Sequence, residues 1–135
     1  MAIIEWKLDY SVGVSEINEQ HKHLMRLIND MNFAIKNESD PSLLEEFMEE
    51  MYDAFASHFA KEQEWMASMN YPDEAFHELL HALFLRNLEY FKNCFISGNC
   101  RLTPHMHRYI CHWFDTHILQ SDKPLGEFLN SQGVY

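Results

Sequence analysis

Two short motifs place side chains that could bind a metal ion one helical turn apart. HFAKE at residues 58–62 contains His58 and Glu62, and HELLH at residues 77–81 contains His77 and His81. Residues four positions apart share a face of an α-helix, so each pair could present two side chains to a common centre. Imidazole nitrogens and carboxylate oxygens are common ligands of first-row transition metals. The two motifs therefore favour a metal site.

Three further candidate ligands are His21, His117 and Asp122. His117 and Asp122 belong to the segment HILQSD and are five positions apart, a spacing that does not bring two side chains to one face of a regular α-helix. If both bind metal, the helix must become irregular between them. We also expect Pro124 to disfavour helical geometry at Lys123.

The elements that must position these residues follow from four segments with apolar residues at alternating steps of three and four, the pattern of amphipathic helices. Ser15, Asp40-Pro41 and Thr103-Pro104 are start signals for the first, second and fourth helices. Because the connections are short, neighbouring helices should be antiparallel. We predict an all-α fold: an up-down-up-down antiparallel four-helix bundle with an irregular N-terminal leader. Residues 1–135 form a single domain, with the leader at about 1–15, the bundle at about 16–122 and a short C-terminal tail.

The candidate ligands should lie at one level of this bundle. His21 and His58 are similarly far from the first helix–helix connection, and the two motifs are similarly far from the second. At about 1.5 Å of rise per residue, all four helices bring polar residues of their apolar faces to one layer of the core. A single buried histidine often needs only a hydrogen-bond partner, but this convergence points to a buried cation.

The number of ligands predicts two ions and one open position. One first-row ion rarely takes more than about six ligands, so seven candidates imply two metals. Two octahedral ions offer about twelve positions, of which five histidines, two bridging carboxylates and one bridging oxygen fill about eleven. Structural zinc usually takes only four ligands, and magnesium and calcium prefer oxygen. Iron fits best, although manganese or cobalt could occupy such a site in vitro.

Composition excludes several other classes of function. The net charge is −11, and the chain has no basic stripe of the kind that binds nucleic acid. We find no signal peptide and no apolar stretch long enough to insert in a membrane. The three cysteines have no CxxC spacing, which is simplest to interpret as reduced thiols in a cytoplasmic protein.

The sequence resembles the hemerythrins, and specifically their single-domain bacterial members. The resemblance rests on a leader with Trp6 and YSVGV at 10–14, on EINEQH ending at His21, and on HFAKEQEWM, YPDEAFHELLH and WFDTHILQSD in the family's order. It implies a non-haem centre of two iron ions, Fe2+ or Fe3+, with an oxo or hydroxo bridge and dioxygen as a reversible ligand. His77, His81 and His117 would bind one iron and His21 and His58 the other, with Glu62 and Asp122 bridging them.

The function that the resemblance implies is dioxygen binding for transport, storage or local supply, without catalysis. The expected lining of the oxygen pocket contains no obvious general acid or base; it consists of Leu24, Phe55, Trp113, Phe114 and Ile118. Two alternatives remain open. One is a sensor of oxygen, iron or redox state that acts through a separate, unknown protein partner. The other is a di-iron redox enzyme that reduces peroxide or nitric oxide, or oxidises ferrous iron.

Two departures from the family pattern and four further histidines also carry expectations. Asn18 stands where family members commonly have aspartate, and Trp113-Phe114 would form a bulky wall that could restrict the pocket. We expect the other histidines to lie at the surface or at helix ends: His23, His105, His107 and His112.

Overall fold

The chain folds as an antiparallel bundle of four long helices, as predicted, in a computed structural model that describes residues 4–135. The first three residues of the predicted leader lie outside this range. The bundle helices are α1 (Ser15–Lys36), α2 (Pro41–Ser68), α3 (Glu74–Ile96) and α4 (Pro104–His117). A π-helical turn (Ile118–Asp122) and a fifth helix, α5 (Lys123–Ser131), follow without a break. No β-strand occurs within residues 4–135.

The helix starts follow the sequence signals in two of three cases. The Asp40 carboxylate accepts a hydrogen bond of 2.8 Å from the Ser42 N–H at the start of α2, and Thr103 caps α4 through the Met106 N–H. At α1 the prediction was wrong, because Ser15 is the first helical residue and Val14 occupies the capping position without a side-chain bond. The side chain of Asn18 reaches back instead and accepts a hydrogen bond from the Val12 N–H.

The predicted end of the bundle also needs correction. The chain continues beyond Asp122 as α5, where the sequence indicated a short tail. Lys123 has φ −63° and ψ −47°, so the residue before Pro124 is helical, contrary to our expectation. Pro124 is the second residue of α5, and because proline has no N–H it makes no backbone hydrogen bond to the preceding π-helical turn. The buried side chains of Leu125 and Leu129 hold this helix against the bundle.

The leader packs against both α1 and α5. The amide of Asn29 on α1 makes two hydrogen bonds with the backbone of Ile4, and the Asn130 amide on α5 donates to the carbonyl oxygen of Gly13. A Cβ atom at Gly126 would lie only 1.9 Å from the carbonyl oxygen of Val12, so glycine is the residue that permits this approach. The leader therefore fixes the position of α5 and of the π-helical turn that precedes it.

Within the bundle, one layer is apolar and one is polar. Ile28, Met31, Met48, Met51 and Leu88 are fully buried in the apolar layer, which fills the half of the bundle that contains the α1–α2 and α3–α4 connections. The polar layer lies in the other half and contains nearly all of the buried ionisable residues. Apolar side chains are buried in both halves, and their burial offsets the cost of burying the polar residues.

Candidate metal centre

All seven candidate ligands meet in one buried layer. Each of these residues is at most 4% exposed, and their ligand atoms form two overlapping groups. The larger group contains His77, His81 and His117, the smaller group contains His21 and His58, and both include Glu62 and Asp122. This is the division that the family resemblance implied. That these side chains bind metal remains a prediction.

The π-helical turn explains how Asp122 joins His117 in the site. The N–H of Lys123 bonds to the carbonyl oxygen of Ile118, five residues earlier, so this turn contains one residue more than an α-helical turn. The wider turn brings Oδ1 of Asp122 to 3.1 Å from Nε2 of His117. The irregularity expected between these residues is therefore present, and it takes the form of a π-bulge.

Each carboxylate directs one oxygen towards each group. Oε2 of Glu62 lies 2.8 Å from Nε2 of His58, while Oε1 lies 2.9 Å from Nε2 of His77 and 3.3 Å from Nε2 of His81. Asp122 is arranged similarly, with Oδ2 3.0 Å from His21 and Oδ1 3.2 Å from His77. Two carboxylates in these positions could bridge two cations.

The hydrogen bonding in this layer is incomplete in the way that a cation site requires. Six buried nitrogen or oxygen atoms have no well-directed hydrogen-bond partner: Nδ1 and Nε2 of His21, Nε2 of His58, Oε2 of Glu62, and Oδ1 and Oδ2 of Asp122. Fully buried polar atoms are rarely left unpaired, because each costs about 1–3 kcal/mol. Unpaired atoms of this kind are expected where several ligands point at one ion, because the ligand atoms then lie close together without forming hydrogen bonds to each other.

The distance between two imidazole nitrogens gives a second test of the fit. Nε2 of His81 and Nε2 of His117 are 3.0 Å apart. Ligands at right angles around an ion, with bonds of about 2.1 Å, would be separated by about 3.0 Å. The residues present therefore fit a group of transition-metal ions.

The histidines around the two buried carboxylates favour their ionised forms. Burial and the nearby Asp122 charge both act to raise the pKa of Glu62, but His58 and His77 outweigh them and hold it well below its ordinary value. Burial likewise opposes ionisation of Asp122, and contacts with His117, His21 and His77 hold its pKa well below the usual range. Two buried negative charges are available to offset the charge of bound cations.

Several neighbours orient the histidines, and sequence reasoning missed two of them, Gln20 and Phe59. Nδ1 of His58 lies 2.6 Å from Oε1 of Gln20, which makes Nδ1 the protonated nitrogen and leaves Nε2 free to bind metal. The ring of Phe59 stacks on His81 with centroids 3.8 Å apart, and Trp113 stacks on His117 at 4.5 Å. Gln20 directly precedes the candidate ligand His21, and Phe59 directly follows the candidate ligand His58. This adjacency is the one sequence signal that could have indicated the two neighbours.

The five residues expected to line the oxygen pocket do not form one wall. Leu24, Phe55, Phe114 and Ile118 are buried, and the ring of Phe114 contacts His21 edge-on with centroids 5.4 Å apart. Trp113 is half-buried instead and stacks on His117 and Phe84. Consecutive residues of a helix point about 100° apart. Trp113 therefore contacts His117 of the larger group, while Phe114 contacts His21 of the smaller group. The expected Trp113-Phe114 wall is therefore divided between the two sides of the site.

One of the four further histidines is buried, which corrects our expectation. His23, His105 and His112 are exposed, whereas His107 is fully buried, with its ring near the backbone of Ile28 on α1. Burial lowers the pKa of His107, so its ring is neutral. His107 lies outside both groups of candidate ligands.

The fold and site define a four-helix-bundle protein with a buried cluster of histidines and carboxylates suited to metal cations. The family model described as "Hemerythrin HHE cation binding domain" matches residues 12–129, and the chain belongs to the hemerythrin family. No helix within residues 4–135 is long and apolar enough to cross a bilayer.

Relatives support this assignment along most of the chain. A bacteriohemerythrin of Stenotrophomonas maltophilia is 26% identical over 123 residues, which cover 91% of this chain and 79% of that protein. A hemerythrin-like protein of Naegleria gruberi is 31% identical over 117 residues, covering 87% of this chain and 86% of that one. The crystal structure of a wild-type hemerythrin shares the fold, with a TM-score of 0.87 at 22% identity over 93% of this chain and 97% of that chain.

The protonation of His77 predicts how the stability of the metal-free protein depends on pH. Burial opposes the charged ring, but the neighbouring carboxylates of Asp122 and Glu62 raise the pKa of His77 to about 9. Because this exceeds the ordinary value of about 6.5, the protonated ring stabilises the folded protein fully below pH 6.5. That contribution is lost as the pH rises through about 9. We expect the Tm of the metal-free protein to fall over this interval in thermal denaturation followed by circular dichroism.

The metal-loaded protein is the control for this prediction. A metal-bound His77 nitrogen carries no proton, so the fall in Tm attributable to His77 should be absent when metal is bound. Equal falls in the two forms between pH 6.5 and 9 would contradict the assignment of this proton to His77.

Proposed function

We propose that this protein binds dioxygen reversibly at a non-haem di-iron centre and acts as a carrier, store or local supplier of oxygen. The observation that carries the proposal is the asymmetry of the site. One group contains three histidines and the other only two, while both share the same two carboxylates. Two iron ions, when bound, would supply the two electrons that reversible dioxygen binding takes up and returns.

His77, His81 and His117 would hold one iron, and His21 and His58 the other. Glu62 and Asp122 would hold both, because each directs one oxygen to each group. The iron with two histidines has one protein ligand fewer, which leaves room for a small external ligand on that side. Gln20 fixes the orientation of His58 there through the 2.6 Å contact with Nδ1.

The surroundings of the two-histidine group favour binding over further reaction. Its neighbours Leu24, Phe55 and Phe114 are buried and apolar, so they provide no proton donor. A neutral bound ligand could therefore leave again without being protonated by a side chain of this wall. On this basis we propose a binding protein, not an enzyme.

A surface cavity offers a route to this side of the site. The cavity has a volume of about 410 Å3 and reaches both Leu24 and His58. Its rim contains Glu16, Glu19 and His23. A molecule as small as dioxygen needs only brief side-chain displacement to pass from such a cavity into the core. We also propose a cytoplasmic location, because all three cysteines are free thiols.

Cycles of aeration and degassing test the proposed function. Anaerobic protein loaded with ferrous iron should gain a visible absorption band in air, lose it under argon, and regain it over several cycles. The iron content, measured in parallel, should remain at about two per chain. Irreversible oxidation in the first cycle, with consumption of an added reductant, would favour the redox-enzyme alternative and contradict a carrier.

A further inference from the structure

Two of the three cysteines meet at the end of α3, far from the metal centre. Gly98 has φ +79° and ends the helix in a left-handed turn. The backbone N–H groups of Asn99 and Cys100 both donate to the carbonyl oxygen of Cys94, at 3.0 and 3.2 Å. Cys100 is thereby folded back over the last turn of the helix, beside Cys94.

This backbone geometry is compatible with a covalent link. In regular secondary structure, residues joined by a direct backbone hydrogen bond have Cα atoms about 5.5–6.2 Å apart, within the range of about 4.4–6.8 Å found for disulfides. Both side chains are half-buried, so a small reagent can reach them. The two thiols are close enough to influence each other: burial and the neighbouring Cys94 thiol raise the pKa of Cys100 to about 11.

Cys111 provides a contrast within the same chain. It is half-buried too, but its sulfur faces the imidazole of His107, with Nε2 at 3.5 Å. Burial raises the pKa of this thiol to about 11. Cys111 therefore matches Cys100 in protonation and exposure but has a different neighbour.

We infer that Cys94 and Cys100 form a redox-modification site. Small-molecule disulfides are the oxidant, and the product is a reversible disulfide bond between Cys94 and Cys100. The Cys94 sulfur, as thiolate, attacks one sulfur of the reagent; the S–S bond of the reagent breaks, and half of it leaves as a thiolate. Cys100 then loses its proton and attacks Cys94, which forms the internal S–S bond and expels the second small thiolate. Two protein thiols are oxidised, one reagent disulfide is reduced to two thiols, and the two protons pass to those thiols.

Thiol trapping tests the inference on the complete metal-loaded protein, and independently of oxygen binding. The protein is equilibrated anaerobically with oxidised glutathione, quenched with an alkylating reagent, digested and analysed by mass spectrometry. We expect peptides joined through Cys94 and Cys100, with Cys111 still alkylated. The oxidised fraction of the pair should exceed that of Cys111 by about tenfold, and dithiothreitol should reverse the link.

Serine variants separate a true pair from three independent thiols. C94S and C100S should each stop at a mixed disulfide with glutathione, whereas C111S should form the internal link as the wild type does. A stable glutathione adduct on wild-type Cys94 or Cys100, or equal oxidation of all three cysteines, would overturn the inference. Neither result would bear on the proposed oxygen binding.

Discussion

Replacement of Glu62 by glutamine should reduce the metal content from about two ions per chain to less than one. Glu62 is fully buried and belongs to both groups of candidate ligands, so the amide would remove a negative charge from both at once. The change in shape is minimal, which makes charge the main variable. Loss of one partner from a buried ionic network costs about 3–5 kcal/mol, so stability should fall together with metal content. Elemental analysis and urea denaturation measure the two effects.

Two further variants make this prediction specific. E64Q makes the same chemical change two residues along α2, at a side chain that is 74% exposed, and should leave the metal content unchanged. His21→Ala removes a ligand from the two-histidine group only, so about one ion should remain. A Glu62→Gln protein that retains both ions would contradict the bridging assignment.

Gly126→Ala should destabilise the protein more than any other glycine-to-alanine change. The new Cβ would lie 1.9 Å from the carbonyl oxygen and 2.8 Å from the carbonyl carbon of Val12. Both are backbone atoms, so the leader must move away from α5. Overpacking of this kind costs about 3 kcal/mol. Because α5 directly follows Asp122, metal affinity should fall as well. Urea denaturation and metal titration would measure the two losses.

Gly133→Ala is the matched control for this second prediction. An added Cβ there meets no atom within 4 Å, and only the positive φ of +86° opposes the change. We therefore expect a loss of about 1 kcal/mol. If the two variants were equally stable, close packing of the leader on α5 would not be what requires glycine at position 126.

The sequence was sufficient to predict the bundle and to bring the candidate ligands together, because both follow from helical periodicity. His58 with Glu62 and His77 with His81 repeat at the helical spacing, and short connections set the four helices side by side. Even the mismatch between His117 and Asp122 indicated an irregular turn. These features depend on local spacing, which a sequence records directly.

Features that depend on long-range packing could not be predicted in the same way. The π-bulge accommodates both the position of Asp122 in the cluster and the packing of α5. Nothing in the sequence ILQSD specifies that the irregular turn is a π-helical one. His107 is buried because α4 turns that face towards α1. The placement of Trp113 and Phe114 beside different groups depends on the same rotation of α4 about its axis. Helical periodicity alone leaves this rotation uncertain by a fraction of a turn.

The contact between the leader and α5 has a consequence for synthesis of the protein on the ribosome. The carbonyl oxygen of Gly13 cannot accept its hydrogen bond until Asn130, which lies 117 residues later in the chain, has been synthesised. The candidate ligand Asp122 lies in the segment that this contact secures, so the nascent chain has all four bundle helices and all five candidate histidine ligands before it has both carboxylates. Binding of metal by all seven candidate ligands would therefore require release of nearly the whole domain from the exit tunnel, so the proposed metal centre would be assembled after translation of the bundle, not during it.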